Sequence, residues 1–366
     1  MELIDLSKYF EISDPKLLSF DEMKKIRKVW LTHELELVDE LDNVQYAKSL
    51  VQRGITVAPI SRKPPVSKYI DRDTFPRRVI LEMTSRCNFL CKMCPQHDLE
   101  RPRIDMPGEL FRKTVDELDK HGIEGLWIYH LGESILHPEF KKNIEYISTK
   151  KNLGAIWMST NGQRFNEDIA TSVLKSEIHF INFSAHAITE ETYKKVAPKG
   201  GNFKTVQKNL ERLYAMKGLG GKPRRPYVHT QMIEQDVTKH EIDGFILKHY
   251  KKADIVSVNM LEYANLPNNQ YGHETTRVRR ELTSCPRISR NSAFILSNGA
   301  VTPCDATYNG EICYGNITKN SLEEIWADTE RLRVASLNSS GRMHEIDHCA
   351  KCPDHDIILM GIEAVK

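Results

Sequence analysis

The chain has 366 residues, 40% of them hydrophobic and 28% charged, a balance that supports a sizeable core and excludes wholesale disorder. Lys plus Arg number 52 and Asp plus Glu 50, for a formal net charge of +2, which argues against a dedicated nucleic-acid or membrane-surface protein. No apolar run approaches the roughly 18 residues needed to span a bilayer. The opening MELIDLSKYF lacks a basic segment followed by an apolar one, so a cytoplasmic location is expected. The eight cysteines are then better read as metal ligands or reactive thiols than as disulfides.

Residues 1–77 read as a helical N-terminal extension followed by a linker. Helix formers run without proline through LLSFDEMKKIRKVWLTHELELVDELDNVQYAKSLVQRG, and VAPISRKPPVSKYIDRDTFPR (57–77) is proline-rich and charged. From 78 the texture changes. Short β-branched runs, RRVILEM (77–83), GLWIYHL (125–131), GAIWMST (154–160), IHFINFS (178–184), YVHTQMI (227–233) and DIVSVNM (254–260), alternate with amphipathic stretches such as GELFRKTVDELDKHG and FKTVQKNLERLYAMKG. Such alternation predicts an α/β fold with a parallel sheet of βαβ units. Six units are too few for a closed eight-unit barrel, so an open, partial barrel over 78–270 is expected. The glycine-rich KGLGGKPRR (217–225) reads as a connector. Residues 271–366 form a third unit, rich in turns and holding five cysteines.

Cys87, Cys91 and Cys94 give C-x3-C-x2-C directly after the first predicted strand. Three thiolates on one loop can hold three corners of a cubane iron–sulfur cluster, leaving the fourth iron open to a small molecule. The competing reading is zinc, with His97 as a further ligand. Cys285, Cys304, Cys349 and Cys352 form a second set. Cys285 and Cys304 bracket C-x13-G-x4-C, where FILSNGAVTPC reads as a hairpin turning at Asn298-Gly299, and the later pair gives C-x2-C. Spacing alone leaves a cubane and Zn(Cys)4 equally open here.

The stretch EMTSRCNFLCKMCP, following the first strand of a predicted partial (β/α)6 barrel, resembles the radical SAM superfamily. Further marks follow in order. LGESILHPEF (131–140) resembles the family's GGEP motif, which implies Gly132 and Glu133 as contacts of the methionine amino group of S-adenosylmethionine. MSTNG (158–162) implies Ser159 and Asn161 as cofactor contacts. NFSAHAITEETY (182–193) implies Ser184, and QMIE (231–234) implies Gln231. Three positions depart from the family pattern: Ser134 replaces the proline of GGEP, His186 stands where relatives have an acid, and Met93 replaces an aromatic residue near the adenine. The C-terminal pattern, with YGNITKNSLEEIW (314–326), resembles the SPASM/twitch extension. The cysteine count suits the shorter twitch form, with one auxiliary [4Fe–4S] cluster on Cys285, Cys304, Cys349 and Cys352.

The resemblance thus implies two [4Fe–4S] clusters, S-adenosylmethionine, and a flavodoxin or ferredoxin as electron donor. It implies a 5′-deoxyadenosyl radical that abstracts hydrogen from a carbinol carbon of a sugar, aminocyclitol or nucleotide sugar. The leftover thiol, Cys313, then separates two outcomes. As a hydrogen donor it implies epimerisation, as in related sugar epimerases. As a packed hydrophobe it leaves dehydrogenation to a ketone with the auxiliary cluster as electron acceptor, as in aminocyclitol dehydrogenases of the twitch type, with His130, Tyr129, His186 or Arg290 as base. Epimerisation is the expectation. Five arginines in RVRRELTSCPRISR (277–290) suit phosphate oxygens or a solvated connector. The alternative function is a peptide-modifying maturase, against which the helical N-terminus and the single auxiliary cluster count.

Overall fold

A computed structural model describes residues 74–218, 225–249, 252–260 and 285–352, together with backbone strands at 10–12, 57–59, 276–279 and 356–359. The helical stretch expected within 1–77 and the connector at 219–224 lie outside the described residues. Of the two described N-terminal segments, 10–12 departs from the helical expectation and 57–59 falls at the start of the expected linker. Strands β1 (Phe10–Ile12) and β2 (Val57–Pro59) pair antiparallel, Phe10 facing Pro59. Two segments this far apart in the chain pair through a contact that local propensity does not register.

The expected parallel strands all form: β3 (Arg78–Leu81), β4 (Gly125–Trp127), β5 (Ala155–Thr160), β6 (Phe180–Ser184), β7 (Tyr227–Glu234) and β8 (Ile255–Met260). They pair in chain order, each parallel to the next, as right-handed βαβ connections require. A helix follows most strands and covers the outer face. The first of these, α1 (Gly108–His121), buries Phe111, Thr114, Val115 and Leu118 at helical spacing. The longer α2 (Phe203–Lys217) starts where Asn202 accepts a bond from the Thr205 amide and buries Val206, Leu210, Leu213 and Tyr214.

The sheet does not stop at β3. After β9 (Thr276–Arg279), β10 (Ser292–Ile295) runs parallel to β3 on its free edge, Phe294 beside Ile80. It then turns at Asn298-Gly299 into β11 (Ala300–Thr302), and β12 (Gly315–Asn316) adds one more antiparallel strand. Gly299 has φ +83°, the left-handed geometry that the expected hairpin turn demands. The nine-stranded sheet runs β12-β11-β10-β3-β4-β5-β6-β7-β8 and is not closed, which gives the partial barrel expected. The C-terminal module is therefore built onto the barrel's own sheet. Its SLEEIW segment is a short helix with a complete capping box, Ser321 Oγ accepting from the Glu324 amide while Glu324 reaches back to the Ser321 amide. Trp326 is fully buried and donates its ring N–H to Asn291 Oδ1 at 3.1 Å.

Alternation along the strands divides the sheet into two faces. Val79, Leu81, Met158, Ile181, Phe183 and Val228 point outward into the main core, each wholly buried. The inward residues Trp157, Ser159, Asn182, Ser184, His229 and Gln231 are half-buried. Among the described residues, no helix is long and apolar enough to cross a membrane.

Candidate active site

The loop after β3 carries Cys87, Cys91 and Cys94 and is pinned by backbone bonds rather than by side chains alone. The Leu90 amide donates to Lys199 O at 3.1 Å, Lys92 to Val196 O at 3.0 Å, and Cys94 to Cys91 O at 3.0 Å. The loop's sulfurs converge. Burial, then repulsion from Cys94 and Cys87, pushes the Cys91 thiol well above its ordinary value, and burial carries Cys87 up to about 12 and Cys94 to about 11. Three neighbouring thiols that resist ionisation fit iron, because a coordinating cation deprotonates its thiol and removes the repulsion. Among the described residues, no three His, Cys, Asp or Glu side chains converge as they would on one metal ion. A cubane offers a separate iron to each thiolate, so it needs no such point. His97, the alternative zinc ligand, is exposed.

The segment after β4 presses directly onto this loop. A Cβ on Gly132 would lie 1.8 Å from Thr84 O, so only glycine permits the approach. The Glu133 amide donates to Arg86 O at 2.9 Å, one residue before Cys87. Ser134, in the place of the family's proline, donates its hydroxyl to Ile128 O at 2.5 Å and so holds the turn by a hydrogen bond instead of a ring. The Glu133 carboxylate is buried and accepts from Thr160 Oγ1 at 2.9 Å and from the Asn161 amide at 2.7 Å. Burial still raises it to about 7. A buried carboxyl poised near neutrality has room for a cation, and a ligand ammonium would restore its charged form.

Asn161 closes the constellation. Its amide group donates to Asn88 Oδ1 at 2.9 Å and approaches Cys87 Sγ at 3.8 Å. Asn88 is a participant that motif spacing did not point to. Ser159, Ser184 and Gln231 gather at the barrel mouth around Asn182, whose amide donates to Ser159 Oγ at 3.4 Å and to Gln231 Oε1. Asn182 is a further participant that the sequence reading did not single out. Met93 is half-buried on the cysteine loop. His186 sits at φ +56° with Nδ1 accepting from the Ile233 amide at 3.3 Å, and burial lowers it to about 4. That ring is engaged with backbone and is a weak candidate for a base. Burial lowers His130 while the nearby Glu82 opposes that shift, and its buried Nε2 has no hydrogen-bond partner among the described residues.

In the second cysteine set Cys285, Cys349 and Cys352 lie near one another, and Tyr314 lies near both Cys304 and Cys349. Burial and the nearby Cys285 and Cys352 raise Cys349 to about 12, and burial with Asp305 raises Cys304. Asn338 Oδ1 receives the Cys285 amide at 2.6 Å, and Thr307 donates to Cys304 O at 2.6 Å. These four residues fit a fully ligated cubane. Of the arginines, Arg287 pairs with Asp305, while 280–284 lie outside the described residues. Cys313 is exposed and donates to Gly315 O at 3.2 Å. The buried packing considered for it is therefore not observed. Its neighbour Tyr314 is the residue that is buried near Cys304 and Cys349.

The C-terminal module and the cysteine loop share a buried ion pair that no motif announced. Arg101 donates to Glu82 Oε1 at 2.6 Å, to Tyr308 O at 2.5 Å and to Ser297 Oγ at 3.1 Å, while Glu82 Oε2 accepts from the Ser297 amide at 2.8 Å. Asn309 adds bonds to the Glu100 amide at 2.9 Å and to Asp98 O at 3.1 Å.

Comparison with known proteins agrees with this geometry. Residues 81–222 match the family model described as the radical SAM superfamily, and 285–353 match an iron–sulfur cluster-binding domain named SPASM. A tungsten-containing aldehyde ferredoxin oxidoreductase cofactor-modifying protein of Pyrococcus furiosus is 30% identical over 105 residues, 28% of this chain and 29% of that protein. The chain thus matches under a third of that relative's length. Among solved structures, BtrN in complex with AdoMet and 2-DOIA superposes with a TM-score of 0.51 at 17% identity, covering 78% of this chain and 94% of that one. Streptococcus suis SuiB bound to precursor peptide SuiA gives 0.57 at 14% identity, covering 86% and 78%. At these identities the likeness is one of fold.

Proposed function

We propose, since the chain belongs to the radical SAM superfamily and carries a C-terminal iron–sulfur cluster-binding domain, that it oxidises a carbinol of a small sugar-like molecule to a ketone. Bound here, a [4Fe–4S] cluster and S-adenosylmethionine would supply a 5′-deoxyadenosyl radical that takes one hydrogen atom from the carbinol carbon, and the remaining electron would pass to the auxiliary cluster as the hydroxyl proton leaves to a base or to water. Cys87, Cys91 and Cys94 would hold that cluster, and Cys285, Cys304, Cys349 and Cys352 the auxiliary one. Glu133 binds the methionine ammonium. Gly132 lets its loop approach, and Asn161 locks that loop to the cysteine loop. Ser159, Ser184 and Gln231 orient the nucleoside at the barrel mouth, and Met93 packs beside it. The observation that carries the oxidative outcome over epimerisation is Cys313, exposed and hydrogen-bonded to Gly315 O. A thiol whose hydrogen is given to a backbone carbonyl is poorly placed to return it to a substrate radical. A flavodoxin or ferredoxin remains the proposed electron donor.

The test is an anaerobic reaction in D2O with reductant, S-adenosylmethionine and a panel of sugars, aminocyclitols and nucleotide sugars, read by mass spectrometry. A product two mass units lighter is expected. A product one unit heavier would mean returned hydrogen and would reinstate epimerisation. Cys313→Ala is expected to leave product and rate unchanged; loss of turnover would put Cys313 back in the mechanism.

Glu133→Gln should weaken S-adenosylmethionine binding by about 1.5–3 kcal/mol, the worth of a hydrogen bond to a charged group. Because Glu133 is poised at about 7, the carboxylate form is lost as pH falls below that value. Wild-type affinity should therefore drop from pH 8 to pH 6, while the glutamine variant stays flat across that range. Equal profiles would remove Glu133 from the ammonium site.

A second reading, modification of a peptide, is favoured by the β1–β2 strand pair. A strand edge can accept an extended peptide by backbone pairing. Peptides with mass changes coupled to 5′-deoxyadenosine, and none among the sugars, would select it.

A further inference from the structure

The inward face of the barrel carries two rows of residues, the upper of which begins at Ser159, itself a proposed cofactor contact. The lower row is aromatic. Trp127 and Trp157 lie stacked with centroids 6.1 Å apart, Trp157 and Phe180 at 3.7 Å, and Phe180 and Tyr227 at 5.4 Å. Phe180 and Tyr227 form with Ala155 and Ile255 an apolar cluster separate from the main core, and Trp157 packs against it. They make a floor.

The row above is polar. Parallel register sets Ser159 beside Asn182 and Asn182 beside His229, so the three point into the same space. His229 Nε2 meets Ser257 Oγ at 2.6 Å, which leaves Nδ1 without a partner among the described residues. Asn182 spends its N–H groups on Ser159 and Gln231, and its Oδ1 is buried with no partner among the described residues. A buried acceptor without a donor is costly, and a ligand hydroxyl would satisfy it. Ser159, Asn182, His229 and Ser257 carry no formal charge in this arrangement, because burial lowers His229 to about 4. Ser159, Asn182 and His229 are partly exposed, whereas Ser257 and the outward row are buried, so these three side chains present the row to the interior.

We propose that this lumen binds a small, uncharged, polyhydroxylated ring, a cyclitol or a monosaccharide, with Asn182 accepting from one of its hydroxyls and His229 Nδ1 hydrogen-bonded to another over the aromatic floor. Apolar C–H edges suit the floor, and hydroxyls suit acceptors that lack donors. The assignment rests on the sugar-like substrate of the proposed function and names the residues and charge class that select it.

The experiment is calorimetric titration of the anaerobic, cluster-loaded protein with myo-inositol, D-glucose and D-glucose 6-phosphate, alongside S-adenosylmethionine. A neutral polyol is expected to bind, and His229→Phe to weaken it by about tenfold or more while S-adenosylmethionine affinity stays unchanged. His229→Gln, which keeps a polar side chain of similar reach, provides a second variant and should lie between. The lumen assignment is overturned if no polyol binds, if His229→Phe binds as the wild type does, or if glucose 6-phosphate binds more tightly than glucose. Polyol binding without 5′-deoxyadenosine-coupled oxidation would uphold the site and overturn the proposed reaction. Oxidation of a sugar that is indifferent to His229 would do the reverse.

Discussion

Replacing Cys91 with alanine is expected to take S-adenosylmethionine cleavage to background and to remove one cluster's worth of iron, leaving the other cluster in place. Cys91 is half-buried on a loop held by the Leu90, Lys92 and Cys94 backbone bonds, none of which uses its sulfur. The substitution removes a single sulfur, so the loop should keep its course while the cluster loses a corner. With three cysteines and no fourth on the loop, there is no spare thiolate to replace it. Cys304→Ala makes the contrast. It should spare formation of 5′-deoxyadenosine but abolish the oxidised product, because Cys304 belongs to the other set. Iron per chain and 5′-deoxyadenosine after anaerobic reconstitution separate the two. Cleavage retained by Cys91→Ala would end the reading of this loop as the radical-generating site.

Glu82→Ala should destabilise the protein by about 3–5 kcal/mol, the cost of stranding one member of a buried ion pair. The side chains of Arg101 and Glu82 are 4% and 1% exposed, so water cannot replace the lost partner. Burial alone would raise the Glu82 carboxyl, yet His130, Arg101 and the bonds from Arg101 and Ser297 bring it below its ordinary value. A lowered folded-state value means that this stabilisation is present above the unfolded carboxylate pKa and is lost as pH falls through the folded one. Acid should therefore mimic the substitution in the wild type and add little in Glu82→Ala. The double change Glu82→Met with Arg101→Leu removes both charges and should recover most of the loss. Urea unfolding measures all three. Limited proteolysis adds a local readout, since Arg101 also holds Tyr308 O and Ser297 of the C-terminal module. A Glu82→Ala protein as stable as the wild type would show the pair to be dispensable.

Local pattern carried a large part of this molecule. Period-two alternation in AIWMST, FINFS and YVHTQMI is a property of neighbouring residues, and each formed a strand where that pattern ran. Cysteine spacing is likewise local, because C-x3-C-x2-C and C-x2-C limit what a short loop can hold. The turn at Asn298-Gly299 was legible for the same reason.

What joined these parts was not local. β10 lies on the edge of β3 though about two hundred residues separate them, and this makes the C-terminal hairpin part of the barrel's sheet. The N-terminal strand pair depends equally on a distant partner. Asn88 beside Asn161, Arg101 between Glu82 and Tyr308, and the row of Ser159, Asn182 and His229 arise only once neighbouring strands fix their register. Cys313 shows the same division. The sequence by itself identified it as the thiol outside both cluster sets, but which way it faces was decided by Ile312 and Tyr314 on either side. Those two apolar side chains take the buried positions, and the small thiol is left pointing to solvent.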